Sequence, residues 1–161
     1  MKQITKTINL YTFAEADKDL RDKIRDYFAT SGGHGDHILR ERIETLKALA
    51  KVINGDLDYS LSLVPDRHEF IRFDGAVDFD ALDALVERDE ACPLTGVCYD
   101  DDLLESYKLY RSRETRDSAL NLALSKYIDL IHAEYEYSLT DEYLADLCEA
   151  NDYWFTENGK L

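Results

Sequence analysis

The chain has 161 residues, of which 45% are hydrophobic and 33% charged, a balance typical of a single globular domain. Its net charge of −15 disfavours direct binding to nucleic acid and to anionic membranes. With three cysteines, no run of roughly 18 apolar residues for a membrane span and no apolar leader at the start, we expect a cytoplasmic protein with reduced thiols.

The first third predicts one strand and two helices. Residues 2–11 alternate between apolar and polar side chains, as a strand does. Thr12 and Glu15 have the spacing of a capping box, which predicts a helix that begins at Thr12 and ends at residues 31–33. Asp36 is placed to cap a second helix that reaches residue 54.

The middle of the chain predicts a β-hairpin followed by two helices. Strict alternation over residues 57–63 indicates a strand, and residues 68–73 are expected to pair with it across a proline turn. Apolar residues at helical spacing predict helices over 78–88 and 100–113. The segment between these helices contains proline and glycine and is expected to be a loop.

The last third predicts the longest helix of the chain, over residues 117–137, then a helix over 141–150 capped by Thr140 and a strand over 153–156. We therefore predict an α+β fold in a single domain, residues 1–161. It would combine a small, mostly antiparallel sheet of about four strands with about six helices.

The sequence contains no catalytic signature, so we predict that the protein is not an enzyme. His34 and His37 flank Asp36, and Cys92 and Cys98 could supply two further ligands to a metal ion. Because these spacings match no zinc module, we predict no metal and no cofactor. A small metal-dependent enzyme built on these residues stays open as an alternative.

Negative charge is concentrated after residue 51. Residues 1–51 contain ten basic and eight acidic residues, whereas the rest of the chain contains nine basic and twenty-six acidic ones. Carboxylates on successive helical turns lie about 5–6 Å apart, a spacing of the same order as the charge repeat of a nucleic-acid strand. We predict an acidic face that binds a basic host protein or a nucleoprotein complex. The predicted partner-binding residues are Asp74, Asp78, Asp80, Asp83, Glu87, Asp89, Glu90, Asp100, Asp101, Asp102, Glu105, Glu134, Glu136, Tyr137, Asp141 and Glu142.

Both ends of the chain carry a family resemblance. Residues 8–15, Ile-Asn-Leu-Tyr-Thr-Phe-Ala-Glu, place a Tyr-x-Phe-x-Glu helix entry after a strand. Residues 149–155 read Glu-Ala-Asn-Asp-Tyr-Trp-Phe. These segments resemble the two ends of a set of small acidic proteins that bacteriophages and prophages encode. The resemblance implies a phage setting inside a bacterial cell, without assigning an activity.

The leading hypothesis is a phage-encoded inhibitory binding protein. It would block a host defence enzyme that acts on nucleic acid, such as a CRISPR effector or a restriction complex, by acidic mimicry of nucleic acid. An antitoxin-like or accessory protein that neutralises a basic partner is the second hypothesis. A surface whose acidic residues serve solubility alone would give the same composition.

Overall fold

The computed structural model describes residues 7–31, 35–88 and 90–161. Within this part of the chain lie six helices and one antiparallel sheet of two strands, so the α+β class and the helix number are confirmed. The elements are α1 (Lys18–Thr30), α2 (Asp36–Ile53), β1 (Asp56–Ser60), β2 (Phe70–Asp74), α3 (Phe79–Glu87), α4 (Tyr99–Arg111), α5 (Arg116–Ser138) and α6 (Asp141–Ala150). In the described residues, no helix has the length and apolar character needed to cross a membrane.

The chain divides into two compact units. The terminal unit comprises Met1–Gly35 and Glu136–Leu161, and the central unit comprises Asp36–Tyr135. Each unit has its own apolar core. The assignment of the whole chain to a single domain stays a prediction.

In the terminal unit, the first helix begins later than predicted. The capping box does form: Thr12 N and Glu15 Oε2 are 3.0 Å apart, and Glu15 N and Thr12 Oγ1 are 3.4 Å apart. It closes a single turn, because Asp17 adopts an extended backbone and its side chain accepts a hydrogen bond from Leu20 N. This second cap starts α1 at Lys18.

The two terminal strands of the prediction are reduced to one antiparallel bridge between Tyr11 and Phe155, with N–O distances of 2.9 and 2.8 Å. The pairing stays short because the capping-box turn follows Tyr11 at once. A turn over residues 156–160 likewise follows Phe155. Residues 7–10 are exposed and form no strand, and residues 2–6 of that prediction lie outside the described residues. The predicted sheet of about four strands is therefore not confirmed.

The C-terminal turn is held against α1 at a position that requires glycine. Gly159 has φ of +73°, and a Cβ atom there would lie 2.7 Å from the carbonyl carbon of Lys23. Glycine tolerates both the positive φ and the close backbone approach. This packing closes the core of Phe13, Ile24 and Phe155.

In the central unit, β1 and β2 pair from Asp56 with Asp74 to Ser60 with Phe70. The first strand ends at Ser60, three residues before the predicted end. The carboxylate of Glu69 accepts hydrogen bonds from Ser62 N and Asp66 N, each at 2.8 Å, and so holds this segment as a loop. His132 on α5 contacts the same carboxylate at 3.0 Å.

The prediction of a longest helix over residues 117–137 is confirmed, because α5 is the longest helix in the described residues. Ala119, Ala123, Tyr127 and Ile131 are fully buried along one face, as expected for residues three and four apart. Leu122, on the other side, is 40% exposed, so neighbouring elements cover the helix less completely than its apolar composition suggested.

Candidate partner-binding surface

Three carboxylates lie together on the exposed side of α6 in the terminal unit. Thr140 caps this helix by accepting a hydrogen bond from Tyr143 N. Glu142, Asp146 and Glu149 are exposed and follow one another at spacings of four and three, which places them on one face. Among the described residues, none of the three forms an ion pair. We call these three residues the α6 acidic face.

Two tyrosine rings border the α6 acidic face. Tyr143 follows Glu142 and is turned about 100° from it around the helix. Its ring meets the ring of Tyr137 edge-on, with centroids 5.6 Å apart, and Tyr137 is 53% exposed. Glu136, also exposed, precedes it. Paired aromatic side chains offer rigid contact area next to a charged surface.

Asp141, at the start of the same helix, has a different role. Its carboxylate pairs with Arg25 and lies 3.5 Å from Arg21, both on α1. Arg25 also bonds Asp22 at 2.7 Å, and that hydrogen bond is the main cause that raises the pKa of Arg25. Asp141 therefore ties α6 to α1, and much of its charge is balanced within the unit.

In the central unit, the acids of α3 are paired with two arginines. Asp83 lies 2.7 Å from Arg111 and 2.8 Å from Arg116, and it accepts a hydrogen bond from Tyr107 at 3.0 Å. Asp80 pairs with Arg116 at 2.8 Å. Glu87 likewise pairs with Arg111, at 3.3 Å.

This network changes the acidity of its members. Burial alone would raise the pKa of Asp83, but the hydrogen bonds from Arg111 and Tyr107 outweigh it and lower that pKa. Burial and the bond to Asp83 raise the pKa of Tyr107 to about 12. The negative charge of Asp83 thus stabilises the contact between α3 and α4.

Asp100 was predicted to bind a partner, but its side chain is fully buried. It accepts hydrogen bonds from Leu94 N at 2.8 Å, Thr95 N at 2.6 Å, and the hydroxyls of Thr95 and Thr45 at 2.8 Å. The prediction for this residue is wrong, because its oxygens hold the loop before α4 and do not reach solvent.

Asp101 holds the same loop from the other side. It accepts hydrogen bonds from Cys92 N at 2.9 Å and from the Cys92 thiol at 3.4 Å. Burial and this carboxylate raise the pKa of Cys92, which keeps the thiol protonated. Cys92 also has φ of +51°, so the loop needs a strong anchor at this point.

Asp102 and Glu134 neutralise a buried arginine. Arg42 is 3% exposed, donates to Glu134 at 2.8 Å and lies 3.0 Å from Asp102. Its guanidinium stacks on the rings of Tyr99 and Tyr127 at 4.3 and 4.8 Å. The Asp102 contact lacks hydrogen-bond geometry and is therefore electrostatic. Burial opposes the charge, but the bond to Glu134 raises the pKa of Arg42 overall.

The other predicted acids are divided between local roles and the surface. Asp74 lies 3.4 Å from Arg72, and Glu105 lies 3.9 Å from Lys108. Asp78 caps α3 by accepting a bond from Ala81 N at 2.9 Å. Glu90 is exposed. Asp89 lies outside the described residues.

The described residues show no arrangement of side chains that supports the metal-dependent alternative. His34 lies outside the described residues, while Cys92 and Cys98 carry free thiols. In the described part of the chain, no three His, Cys, Asp or Glu side chains are grouped as metal ligands. The absence of a metal stays a prediction.

Sequence reasoning missed two of the three residues of the α6 acidic face. Asp146 and Glu149 were not among the predicted contact residues, although their spacing from Glu142 places all three on one helical face. The spacing of these three residues was therefore a usable signal in the sequence. The prediction instead favoured the segment near residue 100, where acidic residues are denser. Composition could not reveal that the fold uses most acids of that segment internally.

No protein-family model, no curated protein and no solved structure matches this chain.

Proposed function

We propose that this protein is an inhibitory binding protein that presents the α6 acidic face to a basic surface of another protein. The observation that carries the proposal is the contrast in pairing. Glu142, Asp146 and Glu149 are exposed without an ion pair in the described chain, whereas most predicted acids of the central unit are engaged. Unpaired carboxylates on one rigid helix attract a cationic surface without first breaking an internal bond.

The neighbouring tyrosines support a protein partner. Aromatic side chains are enriched where interfaces bury area, and exposed rings such as Tyr137 contribute anchoring that charge alone does not. The charges would chiefly accelerate and orient association. Direct binding to nucleic acid is opposed by the charge of the whole chain.

In its specific form, the proposal is a phage-encoded inhibitor of a host defence enzyme. A row of carboxylates about 5–6 Å apart would occupy the basic channel in which such an enzyme holds DNA or RNA. Both ends of the chain resemble small acidic proteins encoded by phages, and this resemblance is the reason for proposing a bacterial defence enzyme as the partner. The mimicry predicts that nucleic acid and this protein compete for one site on the partner.

The test is capture of partners from bacterial lysate on the immobilised protein, followed by competition with duplex DNA and with RNA. We expect a nucleic-acid-binding protein or complex to be retained at 50 mM salt and to be released by salt near 200 mM, the range over which phosphate contacts weaken strongly. Added nucleic acid should displace it.

Two triple variants provide matched controls. Glu142→Gln with Asp146→Asn and Glu149→Gln neutralises the α6 acidic face. Glu90→Gln with Glu114→Gln and Asp129→Asn removes the same charge from exposed positions of the central unit. Capture that is lost in the first variant and kept in the second supports the proposal. Equal capture by both variants, or a partner that nucleic acid does not displace, contradicts it.

A further inference from the structure

An apolar groove adjoins the α6 acidic face within the terminal unit. It lies between the capping-box turn and the second half of α6, and its volume is about 340 Å³. This volume lies at the lower end of the range for ligand sites, about 300 to 1,000 Å³, and therefore suits one long side chain better than a large cofactor. Phe13 and Cys148, both 3% exposed, lie at its base, and Ala14 and Ala145 line its sides.

Both walls of the groove are held by hydrogen bonds. The first wall is the turn that Thr12 and Glu15 close reciprocally. The second is the end of α6, where Tyr153 N donates to Cys148 O at 2.9 Å and Asp152 has φ of +52°. A groove with fixed walls binds without a large ordering cost.

The lining of the groove combines apolar surface with negative charge. Glu149 and Asp152 are both exposed and line it. Asp152 accepts a hydrogen bond from Trp154 Nε1 at 3.1 Å, and no ion pair to either carboxylate is formed in the described chain. Arg21 lies over the Phe13 ring at 5.4 Å, and its guanidinium is 3.5 Å from the Asp141 carboxylate, which also pairs with Arg25.

We propose that this groove takes one lysine or arginine side chain of the basic partner. The aliphatic stem would lie on Phe13 and Ala145, and the charged end would reach Glu149 and Asp152, because long basic side chains bury their stems and keep their charges at the rim. This inference rests on the proposed function and names the part of the surface that selects side chains. Glu149 would belong to both the groove and the α6 acidic face.

The test uses short peptides as probes, observed through the backbone amide shifts of the ¹⁵N-labelled protein. The peptides are acetyl-Gly-Ser-Xaa-Ser-Gly-amide with lysine, arginine, norleucine or diaminopropionic acid at Xaa, so that Xaa is the only side chain that differs and no other basic residue is present. Norleucine keeps the stem without the charge, and diaminopropionic acid keeps the charge without the stem. We expect saturable shifts at Ala14, Ala145 and Cys148. Lysine and arginine should bind at least about threefold tighter than norleucine and at least about tenfold tighter than diaminopropionic acid.

Ala145→Trp fills the groove without changing charge and should weaken the lysine peptide at least about tenfold. Ala14→Leu narrows it from the other wall, in case the first variant folds poorly. Ala84→Trp, at an exposed position of α3, is the matched control and should bind as the wild type does. Equal binding of all four peptides would contradict the proposal that the groove binds a lysine or arginine side chain. Unchanged binding by both groove variants would contradict it too.

Failure of the groove can be separated from failure of the proposed function. If Glu142→Gln with Asp146→Asn weakens partner binding while the groove variants do not, the proposed function is supported. The proposal that the groove binds a side chain of the partner is then wrong. If the groove variants weaken partner binding but Glu142→Gln with Asp146→Asn leaves the partner complex unchanged, the inference about the groove is supported and the proposed function fails.

Discussion

Acidic residues have different structural roles in the two units of this chain. In the central unit, Asp83, Asp100 and Asp102 hold arginines, hydroxyls and backbone amides in place. In the terminal unit, Glu142 and Asp146 are exposed, with no ion pair in the described chain. The density of acidic residues in a sequence therefore does not locate a binding surface. The proposed surface is identified instead by exposed carboxylates that share one helical face and form no ion pair in the described chain.

The comparison predicts that neutralising a central acid affects stability, whereas neutralising an α6 acid affects binding. The largest effect is expected for Asp100→Ala. Because it would leave four hydrogen-bond donors without their acceptor, the buried Thr45 hydroxyl among them, we expect it to lower the free energy of unfolding by about 3–5 kcal/mol, measured by urea denaturation. Asp100→Asn retains one acceptor oxygen and should lose less. A loss below about 1 kcal/mol for Asp100→Ala would show that Asp100 is not the anchor of this loop.

The next largest effect is expected for Gly159→Ala, in the terminal unit. A Cβ atom at 2.7 Å from the Lys23 backbone and a strained φ should together cost about 2–4 kcal/mol. Thermal unfolding measures the loss. The exposed neighbour Asn158→Ala is the control and should stay close to the wild type. Unchanged unfolding of Gly159→Ala would mean that the C-terminal turn does not pack on α1.

A smaller effect, dependent on pH, is expected for Asp83→Asn. Because the pKa of Asp83 is lowered on folding, its ionisation adds stability above its unfolded pKa of about 3.9, and this contribution is lost as the pH falls through the folded value. We expect Asp83→Asn to be about 1 kcal/mol less stable at neutral pH and to approach the wild type in acid. Unfolding curves at pH 7 and pH 3 measure this. A constant difference would place the role of Asp83 in packing.

The smallest effect on stability is expected from the triple neutralisation of the α6 acidic face. Substitutions at exposed positions without partners usually change stability by about 0.5 kcal/mol or less, and removing negative charge from a chain of net charge −15 relieves repulsion. Denaturation of this variant at neutral pH gives the value. Destabilisation by more than about 1 kcal/mol would show that these carboxylates also have structural partners.

Local sequence signals predicted most helices and the hairpin, because those elements depend on spacing and caps. Thr140 caps α6 as predicted. Asp78, predicted as the first residue of a helix, caps α3. The start of α1 and the end of β1 were missed because they depend on competing side chains, namely Asp17 against Thr12 and Glu69 against the strand ladder.

The candidate surface was less predictable than the fold. The face itself follows from the spacing of Glu142, Asp146 and Glu149. The sequence does not show which of its thirty-four acidic residues remain unpaired after folding. The partners of Asp83 and Glu134, for example, lie more than twenty residues away in the chain. Pairing at such separations is a property of the tertiary structure.

The measurement that tests the account most directly is the dissociation constant of the purified complex with the captured partner, at 50 and 200 mM salt. The account predicts that neutralising Glu142, Asp146 and Glu149 weakens binding at least about tenfold at 50 mM salt and flattens the dependence on salt. Neutralising Glu90, Glu114 and Asp129 should change binding by less than about twofold. Equal weakening by both triple variants would contradict the account, since charge would then act without regard to its place in the fold.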